Sequence, residues 1–166
     1  VDWIFIDPAR RDGRGGKTVA ISDCEPDVSA LEDLLLEKAP HVLVKLSPML
    51  DLALALHDLK HVQVAHIVSV NNECKELLLV LGRETHLSSE EVPIHCINLM
   101  TSQTTQGLLF TRQQEKEYSC PYTSTLKTYL YEPNASILKA GAFRSVSSIY
   151  NVEKLHPNSH LYTSDE

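Results

Sequence analysis

The chain has 166 residues, 43% of them hydrophobic and 22% charged, enough for one good core or two small ones. A formal net charge of −7 gives no overall nucleic-acid signature, so any polyanion must meet a local basic patch. No apolar run reaches the ~18 residues of a membrane span, and four scattered cysteines without a CxxC pair argue against a zinc knuckle or a disulfide framework and fit reduced thiols in a cytoplasm.

The first element is Trp3-Ile4-Phe5-Ile6, a β-branched and aromatic run stopped by Asp7-Pro8, which reads as a buried strand. Residues 10–27 hold three glycines, Pro26 and much charge and read as a long loop, with a short strand at Thr18–Ile21. Asp27 opens a helix carrying Leu31, Leu34 and Leu35 at helical spacing and closed by Pro40. His41–Leu46 is a second buried strand, ended by Ser47-Pro48. A second helix over Met49–Leu59 is begun by Pro48, with Ser47 as its cap. Val62–Val70 and Leu77–Gly82 flank Asn71-Asn72, a turn dipeptide, and read as a hairpin. Strand–helix–strand–helix–hairpin predicts parallel pairing plus one antiparallel strand, the second half of a doubly wound α/β sheet.

After Gly82 the chain turns polar and β-leaning. Ile94–Leu99 and Gly107–Phe110 read as strands around a Thr/Ser/Gln-rich turn. Beyond Tyr129, the stretch YEPNASILKAGAF places Pro133 at a helix start, with a helical run to Phe143, and opens a further, incomplete unit. The expected divisions are 1–84, a β-rich extension at 85–128, and 129–166.

In open α/β sheets ligands sit beyond the carboxyl ends of the strands. Two places qualify, Asp7–Arg11 and Lys45–Asp51. Proline fixes its own φ and drives Asp7 out of the helical region, which holds the carboxylate toward the crevice; a turn that merely ends a strand is the plainer alternative. Arg10, Arg11, Arg14 and Lys17 put four cations among three glycines, where a backbone can approach a phosphate; a solvated loop is the alternative. Gly16-Lys17-Thr18 is not a P-loop, because Arg11 stands where that pattern needs its first glycine and Val19-Ala20-Ile21 favours a strand over a helix. Lys45 and Ser47 lie near the second strand end. His57 and His61, four apart, have no third ligand in view, so no metal is expected.

Taken in order, WIFIDPARRDGRGGK, VLVKLSPMLDL and HIVSVNNECKELLLVLG resemble the latter half of class I S-adenosylmethionine-dependent methyltransferases, and YEPNASILKAGAF…KLHPNSHLYTS is similar to the start of a THUMP-like domain. The resemblance covers residues 1–82 and 129–166. It implies a Rossmann-like sheet with Trp3–Ile6 as its fourth strand, a chain that starts mid-domain, and S-adenosylmethionine as co-substrate. It implies that Asp7, Pro8, Ala9 and Arg10 form the active-site wall, with Asp7 and Pro8 touching the donor. The donor's glycine-rich turn has no counterpart, since Gly13-Arg14-Gly15-Gly16 follows the wrong strand. A uracil-type cysteine nucleophile is not implied either, because Ser69-Val70-Asn71 occupies its place and Cys74 lies in the hairpin.

The expected activity is methylation of RNA, a tRNA or rRNA base, in the cytoplasm. Asp7 would orient the base, Arg10, Arg11, Arg14 and Lys17 would hold phosphates, and Lys45 and Ser47 would shape the substrate side. The expected partner is RNA, not a membrane, and these 166 residues are expected to be inactive alone. The alternatives are a non-catalytic RNA-binding module on the same scaffold and a small-molecule methyltransferase.

Overall fold

The computed structural model describes residues 1–10 and 20–166. Trp3–Ile6 forms β1. Ala9–Arg10 forms β2, which pairs antiparallel with β3, Cys24–Glu25. Of the strand expected at Thr18–Ile21, residues 18 and 19 lie outside the described residues and Ile21 opens a 3-10 turn to Asp23. Helix α1, Val28–Lys38, starts where Asp27 accepts from the Ser29 and Ala30 amides at 3.0 and 3.4 Å, satisfying orphan donors of the first turn. Strand β4, His41–Leu46, alternates half-buried and buried residues.

The next helix corrects the expectation. Helix α2 is Leu52–Asp58, and its cap is Asp51, whose carboxylate accepts from Leu54 at 3.0 Å. Ser47 instead closes a turn: its hydroxyl accepts from the Met49 amide at 3.3 Å and its carbonyl from the Leu50 amide at 3.1 Å. A buried carboxylate, Glu32 on α1, then takes the Lys60 and His61 amides at 2.8–3.0 Å and ties α1 to the entry of β5. Strands β5, Val62–Val70, and β6, Glu73–Gly82, form the hairpin. Asn71 and Asn72 both have positive φ, 47° and 63°, the left-handed geometry that the two-residue turn demands and asparagine tolerates.

Strands β7, Ile94–Leu99, and β8, Thr105–Phe110, join the same sheet. Its order is β1-β4-β6-β5-β7-β8, with β1–β4 and β5–β7 parallel and the other pairs antiparallel. This is a mixed α/β architecture. One face carries Val42, Val44, Leu46, Ala65, Ile67, Leu77, Leu79, Leu81, Ile94, Cys96, Leu108 and Phe110, all buried. The first strand departs from expectation: Trp3 and Phe5 are 54% and 61% exposed, because β1 has a neighbour on one side only and nothing described lies over its outer face.

After α3, Arg112–Glu117, the chain builds a second, smaller sheet. Strand β9, Tyr129–Tyr131, is followed by α4, Ala135–Ala140, and α5, Phe143–Tyr150. Strands β10, Glu153–Lys154, and β11, Tyr162–Ser164, complete the antiparallel order β10-β11-β9. The helix expected to run to Phe143 stops at Ala140, where Gly141 takes φ 68°. Two reciprocal contacts clamp this unit to α3. Glu115 accepts from the Arg144 and Ser145 amides, both at 2.8 Å, capping α5, while the Arg144 guanidinium donates to the Lys116 and Tyr118 carbonyls. No helix among the described residues is long and apolar enough to cross a membrane.

Candidate active site at the strand tips

The carboxyl ends of β1, β4, β5 and β7 all point the same way, since the antiparallel β6 separates β4 from β5 and so keeps them parallel to each other. Ile6 pairs with Val44, so the next residue of each strand, Asp7 and Lys45, meet at this edge. The Lys45 ammonium donates to Asp7 Oδ2 at 2.7 Å, and Glu76 Oε2 from β6 stands 4.0 Å from the same nitrogen. The bond to Asp7 holds the lysine above its ordinary pKa, with the charge of Glu76 adding to it. The Asp7 side chain is 52% exposed, and Oδ1 takes no hydrogen bond from the described residues.

Pro8 is buried and pins the turn that carries Asp7, whereas Ala9 and Arg10 are exposed. Arg10 lies opposite Cys24 in the β2–β3 register; burial, more than the charge of Asp23, pushes the Cys24 thiol pKa up. Ser47 is half-buried one turn beyond Lys45. Arg11, Arg14 and Lys17 fall outside the described residues, so the structure brings together Asp7, Lys45 and the flanking Pro8, Ala9, Arg10 and Ser47 only. The two histidines separate: His57, on α2, contacts Asp58, and His61, past the helix, sets Nδ1 2.9 Å from the Thr85 carbonyl oxygen.

Sequence reasoning missed Glu76. Its signal is the antiparallel pairing itself: Leu77 faces Leu46, which carries the residue before it to the Lys45 end of the sheet. Also missed was an amide network at the other half of the same edge. Asn98, 1% exposed, accepts from the Asn72 amide and donates to Gln106 Oε1, both at 2.9 Å. Asn134 caps α4, its Oδ1 accepting from the Ser136 and Ile137 amides, and its Nδ2 reaches Gln106 at 3.2 Å, while Asn72 Oδ1 takes the Ala135 amide at 2.8 Å. Four elements meet there through amides alone. Beside them a cavity of about 440 Å³ opens against Tyr131, Ile137, Val146 and Tyr150.

Three comparisons with known proteins bear on this geometry. A family model for a ferredoxin-like domain matches residues 129–166. No curated protein matches the chain. Among solved structures, the chain is similar to a crystal structure of a putative methyltransferase from Porphyromonas gingivalis W83, with a TM-score of 0.91 and 46% identity. That match covers 99% of this chain but 40% of the other, so these residues span two fifths of the relative's length.

Proposed function

We propose that this chain serves a class I S-adenosylmethionine-dependent methyltransferase acting on RNA, with a Rossmann-like sheet and with residues 129–166 opening a THUMP-like unit. The observation that carries the reading is the 46% identity to a methyltransferase structure over nearly the whole chain. The exposed Asp7 carboxylate at a strand tip supports it, because open α/β sheets bind ligands there.

When bound, the donor supplies an activated methyl group, so the protein's task is alignment and electrostatics. Asp7 and Pro8 fit the methyl end of such a donor, an acceptor beside a rigid wall. Among the described residues no glycine turn opens at the strand tips for its nucleotide end: Gly82 ends β6 opposite His41, at the far edge of the sheet, Gly107 sits inside β8 and Gly141 ends a helix. Lys45 holds one Asp7 oxygen, and the other is left to accept an N–H of a target base and turn its nucleophilic atom toward the methyl carbon. Arg10, with Arg11, Arg14 and Lys17 that follow it in the sequence, holds phosphates. Ala9 and Ser47 flank the substrate.

The test is a chimera in which this chain replaces the matched two fifths of the Porphyromonas protein. Labelled S-adenosylmethionine should transfer methyl to tRNA or rRNA, and Asp7→Ala should slow transfer about 100-fold. An unchanged rate would remove Asp7 from the chemistry. RNA binding without donor uptake, measured by calorimetry, would make the chain a binding module instead. Salt-independent action on small molecules would exclude RNA.

A further inference from the structure

The cavity of about 440 Å³ beside the amide network takes no part in the proposed methyl transfer, and its size falls among small-molecule sites. Ile137, Val146, Val152 and Tyr162 give it an apolar floor, every one of them buried. Tyr131 and Tyr150, 39% and 53% exposed, bring rings to its mouth. Both rings are held at their hydroxyls: Tyr150 donates to the Gly107 carbonyl at 3.3 Å, and Tyr131 accepts from Ser164 Oγ at 3.2 Å. The uncharged polar groups of the lining are already engaged. Gln106 Oε1 accepts from Asn98 and Asn134, Asn134 Oδ1 accepts from the Ser136 and Ile137 amides, and the Tyr162 hydroxyl donates to the Phe143 carbonyl at 2.8 Å. The charged side chains of the lining are both acidic, Glu132 and Glu166, and neither carboxylate pairs with a cation among the described residues.

We propose that this cavity binds a small quaternary ammonium compound, a choline-like cation that carries no anionic group. Two tyrosine rings above an apolar floor suit such a cation, because the π faces attract the charge while the methyl groups pack against hydrocarbon. Two unpaired carboxylates, with no basic side chain among the described lining residues, set the sign of the ligand. They also leave nothing to receive the carboxylate of a betaine or the phosphate of a nucleotide. The engaged acceptors choose among cations. A primary ammonium brings three N–H donors that need partners once they leave water, and the amide oxygens here are taken. A trimethylammonium group brings no donor at all. The site is independent of the methyltransferase reading, since its lining includes neither Asp7 nor Lys45.

Calorimetry with choline, on the 166-residue chain and on the chimera, tests it. Choline should bind both, at least about 10-fold more tightly than its uncharged isostere, in which a tert-butyl group replaces trimethylammonium. Glycine betaine and spermidine should bind more weakly than choline. Tyr150→Leu should lower the affinity at least about 10-fold, whereas Tyr150→Phe, which keeps the ring and loses the bond to Gly107, should stay within about threefold. Glu132→Gln should weaken choline about threefold and leave the isostere unchanged. Tyr122→Leu, an equally exposed tyrosine outside the cavity, should change nothing, and matching melting curves show that each variant is folded. No binding at millimolar choline, equal affinity for the isostere, unchanged binding by Tyr150→Leu, or tighter binding of spermidine or a free nucleoside would overturn the proposal. So would choline binding by the chain that vanishes in the chimera, since the rest of the longer protein would then fill the cavity. Choline bound by a chimera that transfers no methyl group supports the site while counting against the catalytic reading.

Discussion

Along one edge of the same sheet, two sets of polar groups have been put to opposite uses. At the β5–β7 end, Asn72, Asn98, Gln106 and Asn134 spend their amides on one another and on the first turn of α4. At the β1–β4 end, Asp7, Lys45 and Glu76 meet in a cluster that is at least one-third exposed at every member, with one Asp7 oxygen unspent among the described residues. The difference follows from cover. At the first end Asn98 is 1% exposed and its amide needs protein partners, although Asn72 and Gln106 around it stay exposed. Nothing described presses on the second, and a group that water can satisfy remains free for a ligand.

Removing the hub of the closed end should produce the largest effect on stability. Asn98→Ala takes its acceptor from the Asn72 amide and one of two donors from Gln106 Oε1, Asn134 keeping the other, and empties a position that is 1% exposed, which costs about 2 kcal/mol, read as a lower urea midpoint with an unchanged slope. A loss under about 0.5 kcal/mol would mean that water takes over both contacts. Asn72→Gly is milder. The positive φ is kept and one acceptor at the start of α4 goes, the Asn134 cap remaining, so about 1 kcal/mol or less is expected by the same measurement.

These residues also mark where sequence reasoning reaches its limit. Asp27 as a helix cap, His41–Leu46 as a strand and Asn71-Asn72 as a hairpin turn were legible because their causes are local: a cap, a run of alternating burial, a backbone sign. Parallel pairing of the first two strands was legible too, and with it the nearness of Asp7 to Lys45. The bond between them was not, nor was Glu76, since both depend on how β6 enters the sheet between β4 and β5. Helix α2 was misplaced by three residues because two capping residues, Ser47 and Asp51, stood within reach, and a turn took the first. The exposure of Trp3 and Phe5 had no local signal. Apolar composition records which faces a strand can bury, not whether a partner lies over them.

At the open end, stability and activity should part. Asp7→Asn keeps the shape and removes the charge; an exposed ion pair adds little to folding, so the melting curve should overlay that of the unsubstituted chain while methyl transfer by the chimera falls. A stability loss as large as that of Asn98→Ala would show that the pair is a structural tie like its counterpart across the edge.

The smallest effect is the titration of Lys45. Its bond to Asp7 raises the pKa in the folded chain above the ordinary lysine value of 10.5. Linkage then fixes the sign: the folded state binds this proton more tightly than the unfolded one, so the contribution is fully present below 10.5 and disappears as pH rises through the folded value. Compared with Lys45→Met, the chain should keep a constant small advantage from neutral pH to about 10 and lose it only above. Side-chain NMR should place the Lys45 transition later than those of the other lysines, and Asp7→Asn should draw it back toward them. A Lys45 that titrates no later than its neighbours, or that ignores Asp7→Asn, would mean that the two groups are not bonded in solution. The carboxylate credited with orienting a base would then lack the contact that holds it at the strand tip.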